Sequence, residues 1–548
     1  MTRSTRRTRA ARCAAVGLVL ATAAACSGGR PGTRNAGTDV KLTIDTPAAK
    51  GELDKVRWNL GIEPNTLDWI YSYDYPPNTV IANVCESLLR LGSDFSIKPN
   101  LAERIDHPDP KTWVYTIRQG VKFHDGSTMT AEDVAYSLNR HLDPDLGSYW
   151  ANVYANVDSV KVSGAHQVTV KLTKPDSLFN QMLATPPGVV ASKAYVEKQG
   201  QKFGTPDGGL DCTGPFKLAK WTKGQSISLS RFDGYWDTAH AAKTKTLDFA
   251  FIADTSTAVN AMVSGEIDGG YDVGATALPK LLASQEGTVH YGPTTSSVSL
   301  VVADLKGPLA DLRIRKALSL AIDRKALLKA AYAGHGEPSK AVVSTFTWGQ
   351  EPARSVYEKA YDALPSVDQD LAGAKKLVQE AGAPSRTIVI ACNSADPVNG
   401  LICTEVQAAG KRVGLDVQIK AVAPDAYSSL FSDPKARVGI DLFSTSWYDD
   451  IADPLNVYTN WQSGGFANYG GYKNAAYDKL LARGIGEDDA AKRAAITVKA
   501  QKTVSEELLW IPLLQTPNTL FLGKRVTGAT ATNAYLYFPW GAQIGSAQ

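Results

Sequence analysis

The sequence predicts an α/β protein of two or more lobes, and three observations predict it. The chain of 548 residues is far longer than one ordinary domain, and with 44% apolar residues each lobe can bury a core. Thr387-Ile388-Val389-Ile390-Ala391 and Val417-Gln418-Ile419 read as buried strands flanking a helical stretch, an α/β unit. Late in the chain, Trp447-Tyr448-Asp449-Asp450-Ile451-Ala452-Asp453-Pro454 follows the run Ile440-Asp441-Leu442-Phe443, which puts three carboxylates and two aromatics at the end of a buried strand. Open α/β sheets bind ligands in such places. The stretch reads as a site for a cationic or hydroxylated ligand, with a solvated Asx-type turn before Pro454 as the plain competitor.

The chain opens with Arg3, Arg6, Arg7, Arg9 and Arg12, then an apolar run of 12 residues from Ala14 to Ala25. That run falls well short of the roughly 20 residues that cross a bilayer, so residues 1–25 are expected to be an export signal. Cys26, after three small residues, resembles the lipobox cysteine of bacterial lipoproteins, although Ala23 stands where leucine is usual. An ordinary signal peptide is the alternative, and Arg6-Arg7 matches a twin-arginine leader poorly. Loss of the leader removes five arginines and no acid, turning the net charge of +3 into −2. No basic face remains to suggest nucleic acid or a broad anionic membrane surface. Residues 26–52, rich in Gly, Thr, Ala and Pro, are expected to be the lipidated N-terminus and a flexible tether.

Order is expected from Val56-Arg57-Trp58-Asn59-Leu60-Gly61, a strand, followed by a helix over Thr79 to Arg90 with Val80, Val84, Leu88 and Leu89 on its apolar face. Trp113, Tyr115 and Ile117 alternate as on a half-buried strand, Asp125-Gly126 supplies a turn, and Thr130 with Asp133 caps the next helix. His124 and Asp125, side by side in a turn, read as structural. Asp311 caps a helix striped by Leu312, Ala317, Leu320, Ala321, Leu327 and Leu328, which Gly334 stops. Its arginines and lysines read as a solvated face. A further capped helix runs from Asp370 to Glu380.

Besides Cys13 and Cys26 there are four cysteines, which fits two disulfides in an exported chain. Of the three possible connectivities, Cys392–Cys403 and Cys85–Cys212 is preferred. The first would close a short loop and the second would bridge a long insertion. Zinc binding has no support, since neither Cys-x-x-Cys nor His-x-x-x-His spacing occurs.

Several segments together carry a resemblance. They are Pro99-Asn100-Leu101-Ala102-Glu103-Arg104, Gly120-Val121-Lys122-Phe123-His124-Asp125-Gly126 with Thr130-Ala131-Glu132-Asp133-Val134, Thr213-Gly214-Pro215-Phe216-Lys217-Leu218, Arg313 to Arg324, and the Trp447 stretch. In this order they resemble the extracytoplasmic solute-binding proteins, family 5, the oligopeptide and dipeptide receptors of bacterial ABC importers, over roughly residues 55–545.

The resemblance implies a two-lobed periplasmic-binding-protein fold of type II, hinge-linked, with the ligand cleft between lobes. It implies lobe I over 53–295 with an inserted subdomain at about 85–210, lobe II over 296–510, and a return to lobe I over 511–548, with Leu509 to Leu513 as the returning strand. In peptide-binding members an aspartate three residues after the tryptophan pairs with the ligand α-ammonium, and that position is Asp450. Trp447, Tyr448, Asp449 and Asp453 complete the expected ligand-binding set. Some relatives meet the peptide carboxylate with an arginine three residues before the tryptophan; here that residue is Ser444, and Arg437 has no evident place in the cleft.

The implied function is capture of a short peptide outside the cytoplasmic membrane and delivery to an ABC permease and its ATPase subunits, by a monomer anchored through lipid, without cofactor or metal. An oligosaccharide stacked on Trp447, Tyr448, Tyr458, Trp461 or Trp348 is an alternative ligand, as is a nickel chelate, haem or another small solute. An enzyme is the rival class. Gly-x-Ser-x-Gly, a phosphate loop and His-Glu-x-x-His are all missing from the sequence. Asp449 and Asp450 could suggest a glycosidase, but neighbours on an extended segment point apart.

Overall fold

The computed structural model describes residues 40–548 apart from Ala383 and Ser385. The leader and Cys26 lie outside the described residues. Two sheets organise the rest. The first has seven strands in the order 216–222, 226–231, 244–250, 53–59, 269–271, 518–523 and 287–292. Its central strand Leu53–Asn59 shows why the segment folds this way: Val56 and Trp58 are buried while Lys55 and Arg57 face out. The second sheet has six strands in the order 337–338, 510–515, 296–302, 442–448, 388–393 and 417–422. A four-stranded antiparallel sheet built from residues 102–172 packs beside the first and shares its core.

The chain passes between the two large sheets twice. Residues 293–295 lead from the strand 287–292 into 296–302, and residues 516–517 lead from 510–515 back to 518–523. Two short adjacent connections between two compact bodies make a hinge. The crossing is fastened: Thr295 N–H donates to Asn533 Oδ1 at 3.0 Å, and Thr295 Oγ1 donates to the Asp449 carbonyl at 2.7 Å.

Several local signals act as the sequence predicts. Thr130 and Asp133 form a reciprocal capping box on the helix Ala131–Asn139, and Tyr115 and Ile117 are buried on Thr112–Ile117. Gly214 explains one of the recurring motifs: its N–H donates to the Val84 carbonyl at 2.9 Å, and a Cβ there would lie 2.5 Å from that oxygen. His124 accepts a structural role, with Nε2 3.0 Å from the Gly214 carbonyl.

Other elements differ. The helix expected over 79–90 spans Tyr75–Val84, because Asp74 caps it and Cys85 turns extended to join Cys212 in a disulfide across 127 residues of sequence. The helix after Asp311 is two helices, Leu312–Ala321 and Arg324–Tyr332, broken where Ile322 is extended and Asp323 caps anew. Arg315 and Arg324 are buried rather than solvated and donate to the carbonyls of Glu507 and Pro512, respectively. The tether expected to run to residue 52 is docked from its described beginning: Thr43, Thr46 and Lys50 N–H groups donate to Tyr291, Ala529 and Ser546 carbonyls. Strand Trp510–Gln515 belongs to the second sheet, paired with Ser296–Val302, so the return crossing falls at residues 516–517 instead of 510–511. The Cys392–Cys403 disulfide is not formed. Both are buried thiols, Cys392 at the end of its strand and Cys403 on the helix Pro397–Val413 above it. Their sulfurs instead meet the carbonyls of Asn399 and Ala391, at 3.7 and 3.8 Å.

Candidate functional site in the cleft between the sheets

The strand Leu442–Tyr448 lies between 296–302 and 388–393, antiparallel to one and parallel to the other. It is buried through Thr445 and emerges at Ser446, so the acidic stretch is delivered to the edge of the cleft. Asp449 and Asp450 then turn opposite ways. Asp449 is buried, with Oδ1 accepting from Asn456 Nδ2 at 2.8 Å and Oδ2 without a partner among the described residues. Desolvation holds its carboxyl well above the ordinary range, which favours the protonated form.

Asp450 is partly exposed, and its Oδ1 accepts from the hydroxyl of Tyr537 at 2.6 Å. Tyr537 follows the second hinge crossing and packs with the first core, so this carboxylate sits at the boundary of the two bodies. Tyr149 and Tyr448 stand close enough to feel its charge. Among the described residues no Lys, Arg or His forms an ion pair with Asp450, and crowding by aromatic rings pushes its carboxyl up to about 6.

The remaining expected residues divide. Tyr448 is in the cleft wall, its hydroxyl donating to the Tyr73 carbonyl at 2.9 Å and its ring edge-on to Tyr75 at 5.1 Å. Trp447 is half-buried and packs edge-on against Trp510 at 5.4 Å, supporting the strand end. Asp453 is not free to meet a ligand: it is buried in an ion pair with Arg493 at 2.7 Å. The aromatics considered for sugar stacking are mostly core, since Tyr458, Trp461 and Trp348 are buried. Ser444 is buried as well, hydrogen-bonded to Asn399 Nδ2 at 2.6 Å, and Arg437 lies over the Tyr469 ring at 4.7 Å.

Beside this end a cavity of about 530 Å³ opens between the bodies. One wall is Trp58, Asn59, Tyr271, Asp272 and Tyr535; the other is Tyr332, His335, Asp396, Val398 and Ser446. Thr294 and Thr516 of the hinge line it too, with Asn518 and Asn533 beside them, and Tyr75 joins it to Tyr448. Asp272, Tyr149, Tyr535 and Tyr537 were not foreseeable site residues. They come from three segments far apart in the sequence, a strand end at 272, a turn at 149 and the short helix Asn533–Leu536 with its cap Tyr537, and their spacing carries no period.

The geometry is that of two sheet bodies with a cavity at their junction, and the comparisons define the class. Residues 96–469 match the family model "Bacterial extracellular solute-binding proteins, family 5 Middle", so the chain belongs to that family. It is 27% identical over 480 residues to the glutathione-binding protein GsiB of Salmonella typhi, covering 86% of this chain and 90% of that protein. It is 26% identical over 516 residues to the periplasmic oligopeptide-binding protein OppA of Escherichia coli K12, covering 90% and 93%. Among solved structures, the periplasmic binding protein DppA of Helicobacter pylori in complex with a peptide superposes with a TM-score of 0.79 at 21% identity, over 91% of this chain and 99% of that one. The oligopeptide-binding protein AppA of Bacillus subtilis, solved with a nonapeptide, gives 0.76 at 21% identity, over 91% and 100%. The fold is thus the two-lobed, hinged architecture of extracytoplasmic binding proteins.

Proposed function

We propose that the protein captures short peptides outside the cytoplasmic membrane and presents them to an ABC permease, with Asp450 pairing the peptide α-ammonium. The observation that carries this is the state of Asp450: a carboxylate at the lobe boundary, three residues after Trp447, held by one tyrosine hydroxyl and by no cation among the described residues. A ligand ammonium would complete it. The peptide- and glutathione-binding names of the similar proteins support the same ligand class. Lobe closure buries the pair, and ATP hydrolysis belongs to partner subunits. Lipidation at Cys26 after removal of residues 1–25 would keep the receptor at the outer face of the membrane.

Calorimetric titration of the purified protein, refolded to strip carried ligand, tests the ligand class with a mixed set of di- to pentapeptides beside cello-oligosaccharides. Saturable binding of peptides supports the proposal. Binding of oligosaccharides alone would replace the ligand while leaving the transport role.

A further inference from the structure

The cavity beside Asp450 has a charge pattern of its own. Its lining contains the carboxylates of Asp272 and Asp396, one on each wall, and no Lys or Arg among the described residues. His335 adds no steady positive charge, because desolvation lowers its pKa, and its Nδ1 has no partner among the described residues. Asp396 is partly committed, since it caps the helix Pro397–Val413 by accepting from the Val398 and Asn399 N–H groups.

Asp272 is different. It is exposed to the cavity, accepts only from the hydroxyl of Tyr535 in the way of side-chain bonds, and forms no ion pair among the described residues. Its backbone is left-handed, with φ of 52°, a conformation that aspartate tolerates better than most residues. Behind it Tyr271 and Tyr535 stack with ring centres 3.7 Å apart, and Trp58, Met262 and Val259 continue an apolar wall. A carboxylate at an apolar, aromatic wall matches a long aliphatic stem that ends in a cation, the shape of a lysine or arginine side chain.

We infer that Asp272 is a specificity-determining residue that selects, in this cavity, a second positive charge on the ligand, so that the preferred peptides carry a lysine or arginine side chain besides the α-ammonium. The inference rests on the peptide reading of the cleft. Tyr75 lines the cavity and packs on Tyr448, two residues from Asp450, and Ser446 of the same strand lines the cavity directly, which links the two acids through one wall.

The test is a calorimetric comparison of free-amine tripeptides of alanine carrying one lysine, norleucine or glutamate at the second or third position, on wild-type protein and on Asp272→Asn. Norleucine keeps the stem and removes the charge, so the wild-type arm needs no variant to fold. The expected result is that a lysine peptide binds about tenfold or more tightly than its norleucine partner, with glutamate weaker still. Asp272→Asn should erase most of the lysine advantage over norleucine measured on the same protein. Equal binding of the three peptides at both positions would overturn the inference and leave the peptide reading intact. An advantage for lysine that survives Asp272→Asn in folded protein would overturn the role of Asp272. Failure of every peptide to bind would overturn the peptide reading and this inference with it.

Discussion

Asp450 and Asp453 sit three residues apart, yet their environments predict opposite responses to losing charge. Asp450 has its carboxyl pushed up to about 6 from an ordinary 3.8, because burial among aromatic walls desolvates it. A folded-state pKa above the unfolded one means the folded protein binds the extra proton between about 4 and 6, so this group's share of stability falls as pH rises through that window. Asp450→Asn is therefore expected to raise the melting temperature of ligand-free protein at pH 7, with the gain vanishing below about pH 4. Calorimetric scans from pH 4 to 8 check it. Peptide affinity should likewise weaken as pH falls below about 6, since the proton competes with the ligand ammonium. Asp453→Asn should do the reverse, costing about 3–5 kcal/mol, because it strands the buried guanidinium of Arg493; urea titration reads that loss. The sequence showed that three acids cluster here, and family resemblance singled out Asp450. It could not show that Asp453 meets a partner 40 residues away, because such a pairing is made only by the packed helix that carries Arg493.

At the scale of elements, local chemistry was readable where it is decided within a few residues. Thr130 with Asp133, Asp311 and Asp370 all cap the helices they announce. Reading failed where a distant contact overrides the local pattern. Apolar spacing through Leu88 and Leu89 continues past Val84, but the bridge from Cys85 to Cys212 and the pairing of Glu86–Ser87 with Val189–Val190 end the helix. Arg315 and Arg324 occupy helix positions that look solvated, and they are buried because carbonyls at 507 and 512 arrive from the far end of the chain. The same logic gives a prediction for the disulfide. Closing a loop of this length restricts the unfolded chain, so Cys85→Ser with Cys212→Ser should lower stability by about 4–5 kcal/mol in the chain-entropy account. Denaturant midpoints of oxidised wild type and the double variant measure it. An unchanged midpoint would show that the bridge adds nothing beyond the packing around it.

For the whole molecule, two sheets joined by crossings of three and two residues can change their relative angle while each core stays intact. Ligand between them should shift the population toward the closed form. Small-angle scattering is expected to show a smaller radius of gyration with a bound peptide than without. Fold class and two-lobed plan were legible from length, strand patterning and motif order, whereas the cavity was not, because its walls are assembled from both bodies and the hinge. The central claim is that Asp450 and the ligand ammonium form one charge pair across this cleft. It is tested most directly by a thermodynamic cycle: wild type and Asp450→Asn, each titrated with one tripeptide and its N-acetylated copy. The predicted result is strong coupling, with acetylation weakening wild-type binding roughly 30-fold or more and barely affecting Asp450→Asn. Equal losses on acetylation in the two proteins would contradict the claim.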